Sequence, residues 1–263
     1  MTDEQLRELL AVAVEAALAA AGVMRHYFGS TRLGLVQKDD GSPVTLADRE
    51  AEAMIRERLL AAPSGPLDIL GEEEGLSGSG TRQRWTVDPI DGTRSFVRGI
   101  PLFGSMIALE DTVDGRALLG VIHLPMLDVT LAGAPGLGCT RNGVPLQLPE
   151  SVAIGDTIIA VGDVAQFTEA GREEDFRRLT ARHGYVRAYT DCFGHSLVIA
   201  GQVGAMIDPA LNPWDIRPTE ALIEAAGGTA ILAPSRVAGK IDALFGNRGL
   251  VADLDRVLRF SVR

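Results

Sequence analysis

The chain has 263 residues, 46% of them hydrophobic, a formal net charge of −10 and a pI near 4.9. That is enough apolar material for one large core or for two smaller ones sharing an interface. The acidic balance argues against a nucleic-acid or anionic-membrane partner, because phosphate backbones are held by clustered lysines and arginines. Two cysteines, Cys139 and Cys192, are too few and too far apart for a disulfide framework or a zinc knuckle. The acidic opening MTDEQLREL is unlike a secretory signal, and no apolar run reaches the roughly 18 residues of a membrane span. A soluble cytoplasmic protein is the expectation.

In chain order, Thr2 and Gln5 predict a capping box for a first helix. Its stripe of Leu6, Leu9, Leu10, Ala13, Ala17 and Ala21 runs to about Phe28. The polar loop QKDDGSPVT (37–45) interrupts it, and a second helix is predicted from Thr45 to Ala62, with Asp48 in its first turn. LDILGEEEG (67–75) reads as a short strand ending in glutamates, and RWTVDPIDGT as a second strand that ends at Asp88, where Pro89 helps turn the chain. GSMIALE and ALLGVIHLP flank an Asp-Gly hairpin signal, and a further Asn-Gly turn lies at 142–143. Residues 64–148 therefore read as largely antiparallel sheet. From TIIAVGD onward, strands alternate with helices over EEDFRRLTARHG, CFGHSLVIAGQ and PTEALIEAAGG, which predicts a parallel or mixed sheet. The fold class is thus α+β followed by α/β, in two interlocked halves, 1–145 and 146–263.

Three acidic groups end apolar strands or precede a helix: Glu72-Glu73-Glu74, Asp88 with Asp91, and Asp215. Taken singly, each also reads as a solvated turn or a helix cap. Taken together, carboxylates that converge on one cleft repel each other and must bind protons or cations. Oxygen-only donors without a histidine pair favour Mg²⁺, Mn²⁺ or Ca²⁺ over zinc.

The ordered set Asp48, Gly71-Glu72-Glu73, Asp88-Pro89-Ile90-Asp91-Gly92-Thr93 and Trp214-Asp215 resembles the inositol monophosphatase superfamily over nearly the whole chain. A haloacid-dehalogenase phosphatase would have one residue fewer between the two aspartates. The resemblance implies a layered αβαβα sugar-phosphatase fold, a homodimer, and Mg²⁺-dependent hydrolysis of a small phosphorylated alcohol, with two to three ions and Mn²⁺ as an alternative. It implies that Glu72, Asp88 and the Ile90 carbonyl hold one ion, that Asp88, Asp91 and Asp215 hold a second, and that Glu72 serves a weaker third. Most of these metal ligands fall in the 1–145 half. Thr93, oriented by Asp48, would activate water, with Glu72 beside it. The Gly92 and Thr93 amides would face the phosphate, with Asp91 and Arg94 as neighbouring substrate contacts. Lys38 matches a mobile active-site lysine. No Ser-His-Asp set or reactive cysteine is evident, which favours direct attack by water.

For the alcohol, VRAYTDCFGH (186–195) and AMIDPALNPWD (205–215) are similar to the histidinol-phosphate phosphatase branch rather than the inositol branch. Asp191 and Asp208 would suit a substrate carrying an ammonium and an imidazole. Thr190 and His195 depart from that branch's usual Gly and Tyr. Asp191 also reads as a helix cap, His195 as a packed histidine, and Arg187 either as a substrate contact or as a solvated arginine. Inositol 1-phosphate or a broad range of sugar phosphates is the alternative. A binding protein without turnover would lack a metal carboxylate, and none is missing.

Overall fold

The computed structural model describes residues 1–31, 33–37, 43–63, 65, 67–150 and 152–262. Helix α1 (Asp3–Tyr27) opens on the expected capping box: the Gln5 N–H donates to Thr2 Oγ1 and the Thr2 N–H to Gln5 Oε1. Its buried stripe is mostly alanine, so α1 lies close along α2 (Leu46–Leu60). Strands β1 (Val36–Gln37) and β2 (Pro43–Val44) pair just before α2.

The first large sheet is built from β3 (Asp68–Gly71), β4 (Gly75–Ser77), β5 (Gln83–Asp91), β6 (Gly104–Asp111), β7 (Arg116–Leu124), β8 (Val129–Ala134), β9 (Gly138–Arg141) and β10 (Val144–Leu146). Its order is β10-β9-β8-β7-β6-β5-β3-β4, and only β3 and β5 run parallel. Asn142 and Gly143, at φ 51° and 76°, form the two-residue turn between β9 and β10. A short helix, α3 (Thr93–Phe96), follows β5.

The second sheet holds β11 (Ile159–Val161), β12 (Val186–Ala188), β13 (Ala205–Leu211), β14 (Thr229–Pro234) and β15 (Ile241–Gly246) in the order β12-β11-β13-β15-β14. β11, β12 and β13 run parallel and β15 pairs antiparallel with both β13 and β14, so the sheet is mixed. Between and after them come α4 (Val164–Glu169), α5 (Glu173–Arg182), α6 (Asp191–Ile199), α7 (Pro213–Ala225) and α8 (Arg248–Leu258).

Side-chain alternation along the strands gives each sheet two apolar faces. Trp85, Val87, Ile107, Leu109 and Val121 join a core with α1 and α2, while Met106 and Ile122 point the other way onto α6 and α7. Met206 and Phe245 of the second sheet close that middle layer from below, and Ile207 and Leu244 face α8 and Phe167. The result is five layers, αβαβα, as the resemblance implied.

Two details depart from the sequence reading. Helix α7 begins at Pro213, five residues before the Pro218 that looked like its start. Asn212 caps it, and its box partner is Asp215. Pro213 sits where a missing N–H costs nothing, whereas Pro218 lies inside the helix. Strand β5 also continues through Pro89 to Asp91 rather than ending at Asp88.

Helix α7 rides directly on the first sheet. A Cβ at Gly120 would stand 2.3 Å from the Pro218 carbonyl oxygen, and one at Gly133 would stand 3.3 Å from Ala225 Cβ. Gly120→Ala should therefore lower stability by about 1–3 kcal/mol, read as a melting temperature lower by roughly 2–4 °C per kcal/mol. An unchanged melting temperature would contradict this close approach.

His123 on β7 is buried, with Nδ1 bonded to Thr130 Oγ1 at 2.9 Å. Burial, with the Arg25 charge adding to it, pushes its pKa down to about 4. The unfolded chain takes up this proton near pH 6.5. Stability from this residue is therefore present above pH 6.5 and lost as pH falls toward 4. His123→Asn should flatten the acid side of the stability profile over that window by about 2 kcal/mol in denaturant titrations; an equally steep profile would refute it.

Candidate active site

A separation of three puts Asp88 and Asp91 on opposite faces of a regular strand. The chain avoids this with a bulge: Asp88 pairs with Met106 but Asp91 with Gly104, so one extra residue is inserted at Pro89–Ile90. Proline, having no N–H for the ladder, is suited to that place. Ile90 then joins Val87 in the α1/α2 core, and both aspartates are left on the same side, toward the middle layer. Glu72 follows β3, where its N–H donates to the Val87 carbonyl at 3.0 Å, which fixes it beside the end of β5. Asp215 arrives on the first turn of α7, its Oδ2 accepting the Asn212 N–H at 2.8 Å and Asn212 Nδ2 at 3.1 Å.

Asp48, in the first turn of α2, is fully buried, and its Oδ2 accepts both the N–H and the hydroxyl of Thr45 at 2.7 and 2.6 Å. Its Oδ1 lies 3.3 Å from Thr93 Oγ1. The Thr93 hydroxyl is nearer the Ile90 carbonyl, at 2.9 Å. Gly92 precedes Thr93 at φ 88°, and a Cβ there would stand 3.0 Å from the Leu102 carbonyl oxygen, so this turn requires glycine.

The electrostatics follow from this convergence. Burial pushes the Asp88 carboxyl well up, and the charges of Glu72, Asp91 and Asp215 push it further. Burial also raises Asp91, with Asp191 and Asp215 adding, although the Cys192 N–H donated to its Oδ2 opposes the shift. Asp215 is raised to about 7, by burial first and then by Glu72. Asp88 Oδ1 is buried without a hydrogen-bond partner.

The donor set fits a hard cation: oxygen atoms only, mutually repelling, with one orphaned carboxylate oxygen. Among the described residues, no three acidic, histidine or cysteine side chains already close around a single metal-sized point. Instead, Asp91 and Asp215 are turned to backbone amides of α6 and of the α7 cap. Cys192 offers no competing nucleophile, since it is buried and its thiol is pushed well above its ordinary pKa, first by burial and then by Asp91.

Two adjoining concavities of about 440 Å³ each open here and share Arg94, Asp163, Thr190 and Asp191. One is lined by Glu72, Gly92 and Thr93, the other by Asp91, His195, Asp208, Asp215 and Lys240. Larger hollows of about 530 and 810 Å³ lie elsewhere and contain none of these ligands. Asp191 stands at the start of α6 with φ 57°. Burial raises its carboxyl, with Asp208 and Asp163 adding to the shift. Asp208 is buried on β13 and bonded at 3.1 Å to His195 Nε2, while His195 Nδ1 meets Thr219 Oγ1 at 2.7 Å.

The sequence reading missed Asp163, whose signal was its place directly after the apolar strand TIIAVG. Arg187 does not join the group. It lies exposed on edge strand β12, its guanidinium turned to its neighbour's carbonyl, and it lines neither concavity. Lys38 lies outside the described residues.

A five-layer αβαβα protein whose carboxylates gather at strand ends is of the phosphoesterase class, and comparison with known proteins makes the class specific. The model of the inositol monophosphatase family matches residues 5–256. A histidinol-phosphatase of Chlorobaculum parvum is 37% identical over 83% of this chain and 83% of its own. An inositol-1-monophosphatase of Mesorhizobium japonicum is 32% identical over 84% of each. The crystal structure of extragenic suppressor protein suhB from Bartonella henselae superposes with a TM-score of 0.84 at 27% identity, covering 96% of this chain and 98% of that one. The chain belongs to the inositol monophosphatase family, whose members are generally metal-dependent. It is a phosphomonoesterase.

Removing one charge from the cluster should expose its repulsion. Asp91→Asn keeps an acceptor for the Cys192 amide, so in EDTA the variant should melt about 2–4 °C higher than the parent, equivalent to about 1 kcal/mol. Its gain in melting temperature on adding divalent cation should shrink, because stabilisation by a bound ion scales with affinity. A variant that melts lower in EDTA and gains as much from cation would contradict this picture.

Proposed function

We propose that the protein hydrolyses L-histidinol phosphate to L-histidinol and phosphate. In this reading Mg²⁺ is held by Glu72, Asp88, the Ile90 carbonyl, Asp91 and Asp215. The observation that carries the choice of alcohol is the acidic wall beyond those ligands, where Asp163, Asp191 and Asp208 come from three separate elements. Three carboxylates match a leaving alcohol that bears an ammonium and an imidazole, since charge-assisted hydrogen bonds are roughly twice as strong as neutral ones. A neutral polyol can donate hydroxyls to them but brings no positive charge to offset theirs. The 37% identity to a histidinol-phosphatase supports the same choice. Inositol 1-phosphate is the second reading, supported by the inositol-1-monophosphatase relative and by the share of Asp208's charge that His195 already occupies.

When bound, Mg²⁺ supplies the positive charge that an anionic ester needs beside these carboxylates, and makes water acidic enough to attack. The chain's own residues do the rest. The Thr93 hydroxyl, between the Ile90 carbonyl and Asp48, orients the attacking water, and the water's proton passes through it toward Asp48. Gly92 brings the backbone close to the ester, and Arg94 lends positive charge at the rim. Water rather than a side chain attacks the phosphorus, which agrees with the inert Cys192 thiol. A cytoplasmic homodimer is the working form in this reading.

Phosphate release from histidinol phosphate and from myo-inositol 1-phosphate, each with Mg²⁺ and then with EDTA, tests it. The expectation is a kcat/KM at least about tenfold higher for histidinol phosphate, abolished by EDTA. Asp208→Asn should raise KM for histidinol phosphate by about 10–100-fold, the value of a hydrogen bond to a charged group, and move inositol phosphate little. Equal efficiency on both esters would overturn the choice of alcohol. No release from either ester in Mg²⁺ would overturn the whole reading.

A further inference from the structure

Asp48, Glu52 and Arg56 recur every four residues on α2 and so share one face of the helix. All three are buried. Asp48 reaches Thr93, as described, and the next two side chains grip the turn that carries Glu72. Glu52 Oε2 accepts the Glu73 N–H at 2.8 Å, and its Oε1 accepts the Glu74 N–H at 3.1 Å and Arg56 Nε at 2.8 Å. Arg56 Nη2 then donates to the Gly75 carbonyl and Nη1 to Ser77 Oγ, both at 2.7 Å. Gly71 makes the room, since a Cβ there would stand 2.1 Å from Glu52 Oε1.

From this we infer that Glu52 and Arg56 are positioning residues, which fix Glu72 as a cation ligand and tie it to the same rigid helix that orients Thr93. The inference rests on the reading of Glu72 as a ligand. Three consecutive glutamates in one turn repel each other, and a turn held only by water would splay them. The clamp instead fixes the backbone N–H groups on either side of Glu73's Cα and the carbonyl that closes the turn. A buried ion pair stabilises a fold poorly compared with apolar packing of the same volume. Its value here is geometric: it sets where the Glu72 carboxylate stands relative to Asp88. Since Asp48 lies one turn earlier on the same face, the water-activating pair and the cation ligand move as one body.

The test titrates Mn²⁺ into the metal-free full-length protein by calorimetry, with melting temperature and circular dichroism read on every variant. Glu52→Gln should stay folded and bind Mn²⁺ about 10–100-fold more weakly, the usual effect of losing a partner that orients a ligand. Arg56→Lys should weaken it in the same direction by less. On a Glu72→Gln background, Glu52→Gln should add less than about twofold, because the ligand it positions is already gone. Unchanged Mn²⁺ affinity in Glu52→Gln would overturn the inference, and so would an equal loss on both backgrounds, which would mark general loosening. If Glu52→Gln does not fold, unchanged affinity in Arg56→Lys overturns it instead. If Glu72→Gln alone leaves Mn²⁺ binding intact, the reading of Glu72 fails first, and the single variant identifies that failure.

Discussion

Mutual repulsion among buried carboxylates is the constraint around which this molecule is arranged. Glu72, Asp88, Asp91 and Asp215 reach one cleft from the end of β3, the end of β5 and the start of α7, and burial denies the three aspartates the water that would screen them, with Glu72 half-buried beside them. An unpaired buried charge costs several kcal/mol, so the surrounding fold has to hold the cluster against its own tendency to open or to take up protons. It does so with fixed backbone partners: the Cys192 amide for Asp91, the Asn212 cap for Asp215 and the Val87 carbonyl for the Glu72 amide. Each is a short-range bond to a rigid element, which suits a site whose geometry has to survive the arrival and departure of ions.

The same constraint gives the strongly negative chain a physical meaning. A protein with net charge −10 repels a phosphate ester at long range. A cation bound among the carboxylates reverses the local field while leaving the rest of the surface acidic. Arg94 at the rim and Lys240 near Asp215 are small local corrections to that field.

Much of this was legible in the sequence because it is written in short-range chemistry. The Thr2–Gln5 box, the helix start at Thr45 with Asp48 in its first turn, the Asp-Gly and Asn-Gly turns and the alternation along the strands are local rules that tertiary packing had no reason to override. Where local rules competed, the reading slipped. Pro218 looks like a helix start, but Asn212 with Asp215 is the stronger cap, and the sheet beneath α7 tolerates an interior proline at Gly120. Pro89 looks like a strand end, yet a bulge absorbs it. The clamp by Glu52 and Arg56 was invisible for another reason: two charged residues on a helix read as a solvated face until the turn they grip is seen beside them. Asp163 was hidden likewise, as an ordinary helix cap.

The two sheets contribute different things to the cleft. Glu72, Asp88, Asp91 and Thr93 all follow or end strands of the eight-stranded sheet, where α2 braces them. Asp163, Asp191 and Asp208 come from the end of β11, the start of α6 and the middle of β13, all on or against the five-stranded sheet. Helix α7 lies between the sheets and brings Asp215 to the border. In the proposed reading, the groups that would face the phosphate and its cations, Asp215 apart, therefore sit on one support, and those that would face the departing alcohol on the other. A substitution in the second set changes charge and shape around the alcohol without moving the bulge at Pro89 or the brace from α2. On that reading, one hydrolytic apparatus would serve different phosphorylated alcohols, and the choice among them would fall to a few side chains, among which the buried Asp208–His195–Thr219 chain is held by hydrogen bonds on both ring nitrogens of the histidine.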